Sequence, residues 1–339
     1  MSQHHKQHPR RYLHALALLT ALTPQTTAQE NHNSKRGLAY VGNTHGTDNA
    51  LLTSTKSPIS WYYNWSPYPP SQVPSQNLEF VPLIHGVDGA SDPQTARQID
   101  SLPQSSTHLL SFNEPDGTTG SGGSAIEPDD AAKAYIEHIV PLRERGRKWK
   151  ISHPSTTGSG NGLDWLRKFN ESCYKIDKQN GCPTDFIAAH WYGNFEGLAG
   201  WLGTLNEYYN TNTSRNPPLK IWITELALPQ LDADANAQMM NQTLPYLDSQ
   251  DYVEKYSWFG AFRPQDANGW TGDGVALFDG DGGLTKVGAL YMGGENRGFK
   301  EGQRGEEGGD GVQDGARHMS ISWGLLLSLT FAAGIFSTL

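Results

Sequence analysis

The feature that most constrains this chain is an alternation. Eight short apolar, β-branched or aromatic runs, at residues 38–42, 59–65, 79–84, 108–112, 149–153, 186–192, 219–224 and 256–262, alternate with stretches of helical character. Helix candidates fall at 93–101, 128–145, 162–169, 197–210 and 236–249. Strands that alternate with helices build parallel βαβ units, because a parallel crossover needs a dozen or more residues and a helix usually supplies it. Eight such units in about 250 residues predict a (β/α)8 TIM barrel, one α/β domain over residues 35–294. The doubly wound alternative lacks its signature: no G-x-G-x-x-G follows the first run, and the chain has no G-x-x-x-x-G-K-[ST].

Outside that unit the composition changes at both ends. Residues 1–11 carry Lys6, Arg10 and Arg11 without an acid; an apolar run at 13–22 and the small residues Thr26-Thr27-Ala28 follow. Basic start, short apolar run and small-residue exit predict a secretory signal peptide over residues 1–28. At the other end, nine Gly in the 23 residues from Gly293 to Gly315 mark a low-complexity spacer, assigned to 295–320. The final 321–339 are uncharged and end without basic residues. Small residues, polar spacer and terminal apolar tail predict a GPI-attachment signal, with Gly309 and Asp310 as candidate ω sites.

Secretion gives the other features a context. The formal net charge of −9 offers no electrostatic reason to expect nucleic acid as a partner. Cys173 and Cys182 are the only cysteines and are expected to form a disulfide in an oxidising compartment. Asn64-Trp65-Ser66, Asn170-Glu171-Ser172, Asn212-Thr213-Ser214 and Asn241-Gln242-Thr243 are possible N-glycosylation acceptors, with Asn64 too near the expected cleft to be used. The chain is expected to act as a monomer.

In a barrel of this kind, reactive side chains stand at the C-terminal ends of strands. The fourth run ends Ser111-Phe112-Asn113-Glu114-Pro115-Asp116, and the seventh continues Ile223-Thr224-Glu225-Leu226-Ala227. A carboxylate thus leaves the mouth at strands four and seven. Two facing carboxyls about 5–5.5 Å apart are what retaining glycoside hydrolysis needs, one as acid/base and one as nucleophile. Asn113 adds a neutral donor for a sugar hydroxyl. Alone, each Glu also reads as a turn residue or the first solvated position after a strand.

Asn113-Glu114-Pro115, His190-Trp191-Tyr192-Gly193 and Trp222-Ile223-Thr224-Glu225-Leu226-Ala227, with Trp61-Tyr62-Tyr63-Asn64-Trp65 upstream, resemble the strand ends of the Asl1-like glycosyl hydrolases. These form glycoside hydrolase family 128, within clan A of (β/α)8 retaining enzymes. The resemblance runs from Arg36 to Tyr291. It implies retaining endo-hydrolysis of cell-wall β-1,3-glucan without cofactor or metal. Glu114 would be the acid/base, Glu225 the nucleophile and Asn113 the contact to the sugar 2-hydroxyl. His190 and Tyr192 would orient the nucleophile and line the cleavage subsite. One departure is His153, where the family carries a small residue; if it entered the cleft, the substrate subclass would change. The rival readings are a glucan-binding surface protein with weak turnover, and the same chemistry on β-1,6-glucan or β-mannan.

Pyranose rings present apolar C–H faces that Trp and Tyr planes match at low entropy cost. Tyr63, Trp65 and Trp258 are assigned to the cleft, while Trp149, Trp165, Trp201 and Trp222 are assigned to the core. Asp279-Gly280-Asp281-Gly282-Gly283 lacks an EF-hand's Asp at its fifth position and its closing Glu, so it reads as a tight turn.

Overall fold

A computed structural model of the protein describes residues 34–42, 45–70 and 78–305. The leader assigned to 1–28, the apolar tail at 321–339 and the ω candidates Gly309 and Asp310 lie outside the described residues. Among those described, no helix is long and apolar enough to cross a membrane.

Among the described residues eight strands appear, one within or overlapping each predicted run: β1 (Arg36–Ala39), β2 (Trp61–Tyr63), β3 (Glu79–Phe80), β4 (His108–Leu109), β5 (Lys150–Ile151), β6 (Phe186–Tyr192), β7 (Lys220–Ala227) and β8 (Val253–Trp258). Six of them form one parallel sheet in the order β3-β2-β1-β8-β7-β6, and β4 pairs β5. Two parallel bridges complete the circuit, Leu83 to Leu110 between the third and fourth strand regions and Ser152 to Phe186 between the fifth and sixth. Every strand therefore neighbours its sequence neighbours, and β1 beside β8 closes the barrel. Strands three to five are shorter than predicted. Pro82 and Pro154 sit inside or just after those runs and offer no N–H to a ladder.

The principal outer helices are α1 (Gly46–Leu52), α2 (Val87–Ser91), α3 (Pro93–Ser101), α4 (Pro128–Ala134), α5 (Gly162–Ile176), α6 (Phe195–Asn206), α7 (Ala233–Ser249) and α8 (Lys286–Tyr291). Their starts are written in the sequence: Asp92, Asn194, Asp232 and Thr285 each accept a backbone N–H of the first turn. The long candidate at 128–145 stays helical but changes pitch after α4, through a π turn at Tyr135–Ile139 and a 3₁₀ turn at Val140–Arg143. Pro141 falls there and cannot donate to the α ladder.

Large rings fill the barrel, with Trp61, Tyr63 and Trp222 fully buried. Its N-terminal end is closed by charge. Glu79 accepts from His108 Nδ1 at 3.1 Å and lies 3.7 Å from Lys255 Nζ, which sits 5.3 Å from the Trp222 ring centroid. Burial pushes the Glu79 carboxyl up, but His108 and Lys255 outweigh it and hold it below the ordinary carboxylate range. The four tryptophans assigned to the core are all buried there.

Part of the segment assigned to the spacer packs on the barrel. Phe299 is buried, Gly302 N donates to Leu284 O at 2.8 Å, and Leu284 N donates to Gln303 O at 2.8 Å. Residues 295–305 thus pack on the barrel, anchored by one aromatic side chain that a glycine count overlooks.

Cys173, near the end of α5, is bonded to Cys182 in the loop before β6. Closing a loop nine residues apart in sequence stabilises the fold by roughly 2.7 kcal/mol through the entropy it removes from the unfolded chain. The double replacement Cys173→Ser/Cys182→Ser should lower the urea-unfolding free energy by about 2–3 kcal/mol with an unchanged pH profile of activity. A midpoint that does not move would assign the bridge no stabilising role.

Candidate active site

The two glutamates are set by local backbone. Glu114 follows β4, with its N–H on Ser155 O at 2.8 Å and its carbonyl accepting from Gly117 N at 2.9 Å. It has φ +39, and Trp65 has φ +56. Non-glycine residues held in that region cost roughly 1–3 kcal/mol each and persist only where surrounding contacts enforce them. On β7, the pairing with β6 slips by one residue: Ala189 faces Ile223, but His190 faces Glu225. Such a bulge re-aims a side chain. Here it makes His190 and Glu225 register partners, so both point to the same side of the sheet.

The three groups converge, with one ligand atom from each of Glu114, His190 and Glu225 lying within 4.8 Å of the others. Glu225 is rich in donors. Its Oε1 accepts from Trp65 Nε1 at 2.7 Å and Tyr63 Oη at 3.0 Å, and its Oε2 accepts from Tyr192 Oη at 2.5 Å. Both oxygens are used as acceptors, as an ionised carboxylate requires. Burial and the neighbouring carboxylate hold the Tyr63 and Tyr192 phenols well above their ordinary value, so both remain donors. The Glu114 carboxyl has a single hydrogen-bond partner among the described residues, His190 Nδ1 at 2.8 Å. The same nitrogen is 3.4 Å from Glu225 Oε2. Burial opposes protonation of His190, but Glu225 and Glu114 together outweigh it and raise its pKa.

This trio is also a conceivable cation site. A cation would have to displace the N–H and O–H groups that already occupy both oxygens of Glu225.

The carboxylates open into a cleft of about 790 Å³, lined by Trp65, His85, Asn113, Thr157 to Gly160, Trp191, Tyr192, Phe259 and Trp270 among others. Rings surround Glu225 in sequence: Trp65 is 5.8 Å from Phe259, Phe259 is 5.9 Å from Tyr192, and Tyr192 is 4.5 Å from Trp270. Asn113 lines the cleft beside Glu114, donating from Nδ2 to Gly122 O at 3.1 Å, while its buried Oδ1 has no partner among the described residues.

Several expected positions are corrected. Trp258 is buried and donates to Val275 O at 2.9 Å, so it belongs to the core. The chain turns after β8 and presents Phe259 instead, and Trp270, half exposed at 52%, supplies the indole at the rim. Tyr63 lies beneath the cleft as a donor to Glu225 and offers no face to a sugar. His190 is fully buried and bonds Glu114 more closely than Glu225, so it lines no subsite. His153 stays out of the cleft: it is buried between Tyr209 Oη at 3.0 Å and Cys182 O at 2.7 Å. Trp191, Phe259 and His85 went unassigned by sequence reasoning. Only Trp191, inside the His-Trp-Tyr element, carried a signal that could have found it.

Burial drives the His153 pKa down to about 4 despite the Cys182 carbonyl. With an unfolded value near 6.5, its stabilising contribution is complete above that pH and is lost as pH falls toward the folded value, about 3 kcal/mol in all. Urea unfolding at pH 7 and pH 4 should show that loss, and His153→Gln, less stable at pH 7, should show a smaller one. An identical pH dependence in both proteins would assign the acid lability elsewhere.

Residues 37–291 match the sequence profile of a family described as the glycosyl hydrolase catalytic core. The chain is 32% identical over 270 residues to Alkali-sensitive linkage protein 1 of Schizosaccharomyces pombe, covering 77% of this chain but only 44% of that protein. Among solved structures, it is similar to a GH128 subgroup IV endo-β-1,3-glucanase from Lentinula edodes, at 27% identity and TM-score 0.61, over 76% of this chain and 99% of that one. It is likewise similar to a GH128 subgroup III curdlan-specific exo-β-1,3-glucanase from Blastomyces gilchristii, solved with glucose, at 27% identity and TM-score 0.59, over 78% and 99% of the two chains.

Proposed function

We propose, from the premise that this chain belongs to the glycosyl hydrolase catalytic core family and within it to glycoside hydrolase family 128, that it is a retaining endo-β-1,3-glucanase. The observation that carries the mechanism is the pair of carboxylate oxygens within 4.8 Å at the ends of strands four and seven. That spacing suits direct attack, which needs carboxyls about 5–5.5 Å apart, and leaves too little room for the water an inverting enzyme places between carboxyls about 6.5–9.5 Å apart. The unequal surroundings divide the roles. Glu225, held by three hydroxyl or indole donors, is the nucleophile; Glu114, with one imidazole partner, is the acid/base.

Glu225 attacks the anomeric carbon while Glu114 gives its proton to the departing glycosidic oxygen, so the C–O bond breaks as the glycosyl–Glu225 bond forms. Glu114, now a carboxylate, then takes a proton from water, and the resulting oxygen nucleophile releases the sugar from Glu225. His190 Nδ1–H sits between both carboxylates and can follow the negative charge from Glu225 to Glu114 as the first step proceeds. Asn113, beside the acid, would hold the sugar 2-hydroxyl through its unpaired Oδ1. The β-1,3 linkage draws on the named activities of the two structural relatives, and endo action on the activity named for the Lentinula edodes enzyme. The sequence ends support secretion and a GPI-anchored place at the cell surface, with the enzyme acting as a monomer.

Reducing ends released from a linear β-1,3-glucan, with the first product anomer read by proton NMR, test the proposal. Early oligosaccharides carrying a β-anomeric end are expected. Binding without cleavage would replace the enzyme by a glucan-binding surface protein, and an α-anomeric first product would overturn the double displacement. Tyr192→Phe, which removes one hydrogen bond to a charged carboxylate worth about 1.5–3 kcal/mol, should lower kcat roughly 10- to 100-fold with little change in KM. An unaltered kcat would remove Tyr192 from the account.

A further inference from the structure

Two residues beyond Glu114 stands a second carboxylate that the hydrolytic steps do not use. The partners of Asp116 fall on one segment of another strand end. Its Oδ1 accepts from Thr157 N at 3.0 Å, and its Oδ2 accepts from Thr157 Oγ1 at 2.7 Å and Ser159 Oγ at 3.5 Å. Residues 157–160, which follow β5, form the wall of the cleft together with Glu114 and Trp191. The wall lies tight against the strand carrying His190: Gly158 has φ +75, and a Cβ there would come within 2.6 Å of His190 O and 3.1 Å of the Trp191 ring. The Asp116 carboxylate thus joins the strand end bearing the acid to the loop beside it, across 41 residues of sequence. Glu114 itself holds a left-handed backbone that its surroundings must enforce.

We infer that Asp116 is a positioning residue, clamping the 157–160 wall against Glu114 so that the departing sugar is held with its glycosidic oxygen in line with the acid. The inference rests on the hydrolytic reading. An acid must lie within hydrogen-bond reach of the oxygen it protonates, so the wall beside Glu114 receives the leaving side of the substrate. The adjoining loop contributes Thr157, Ser159 and two glycines, which suits a polar, closely approached sugar.

A clamp of this kind matters where the leaving group needs a proton and a seat, and hardly matters where it needs neither. The test compares kcat/KM, which reports the first displacement, on a β-1,3-linked glucose hexamer and on the dinitrophenyl glycoside of a β-1,3-linked glucose trimer. Asp116→Asn should lose about 30-fold or more on the hexamer and stay within about threefold on the dinitrophenyl substrate. Thr157→Val, which removes the clamp's hydroxyl from the other side, should show the same selectivity, and the double variant should lose little more than either single one. Equal losses on both substrates, or none on either, would overturn the inference, and Thr157→Val decides it if Asp116→Asn fails to fold. A parent enzyme that hydrolyses neither substrate would sink the hydrolytic reading instead.

Discussion

Replacing Glu225 by Gln is expected to lower kcat on β-1,3-glucan by at least about a thousandfold while KM stays within about threefold. The substitution changes a charge and almost nothing else. The amide oxygen can take the place of Oε1, where Trp65 Nε1 and Tyr63 Oη donate. The amide nitrogen then falls beside Tyr192, whose hydroxyl can rotate from donor to acceptor. The cleft and its rings remain, so substrate still binds. An amide cannot form the ester to the anomeric carbon, and no glycosyl-enzyme accumulates. Kinetics on a linear glucan, with thermal unfolding to verify the fold, measure the effect. Residual activity above about one per cent of the parent would remove Glu225 as nucleophile.

The barrel and both carboxylates were legible in the sequence for a physical reason. Parallel strands buried on both faces read as short apolar runs, and a barrel's reactive groups stand where those runs end. Asn113-Glu114 and Thr224-Glu225 fall at such ends. What surrounds them was less legible, because it depends on backbone departures that leave little mark in composition. The slip between Ala189 and His190 puts His190 opposite Glu225. The positive φ of Trp65 bends the chain after β2, and its indole N–H reaches Glu225. Alternation counted along 59–65 separates Tyr63 and Trp65 from their neighbours, but it cannot tell a hydrogen-bond donor below the cleft from a ring within it. Trp258 yields its expected place in the cleft to Phe259 for a similar reason: strand geometry ends at Trp258, and with it the alternation of faces. His153 sits beyond the short β5 and just before Pro154, where periodicity no longer reports which side is the cleft.

The second large effect separates the two carboxylates by role. Glu114→Ala should reduce kcat/KM on β-1,3-glucan by about a hundred- to ten-thousandfold, because a departing sugar alkoxide requires the acid's proton. A dinitrophenyl leaving group does not, so on such a glycoside the first displacement should proceed, and the glycosyl-enzyme on Glu225 should accumulate for want of a base to activate water. Azide needs no deprotonation. In its presence turnover should recover, each cycle forming a carbon–azide bond and returning Glu225 as a carboxylate. The stereochemistry of the product then identifies the missing group. Two successive inversions, one by Glu225 and one by azide, give a β-glycosyl azide. In Glu225→Ala, azide could only take the nucleophile's place and invert once, which gives the α-azide with a leaving group of fluoride that itself began in the β configuration. A β product from Glu114→Ala together with an α product from Glu225→Ala assigns the roles as proposed, and the reverse pattern exchanges them. Removing Glu114 also strips His190 of its 2.8 Å partner. Since that carboxylate helps raise the imidazole's pKa, the His190 ring should titrate at lower pH in Glu114→Ala than in the parent, a shift that NMR of the histidine resonances would detect. An unmoved titration would place the controlling charge on Glu225 and Asp116.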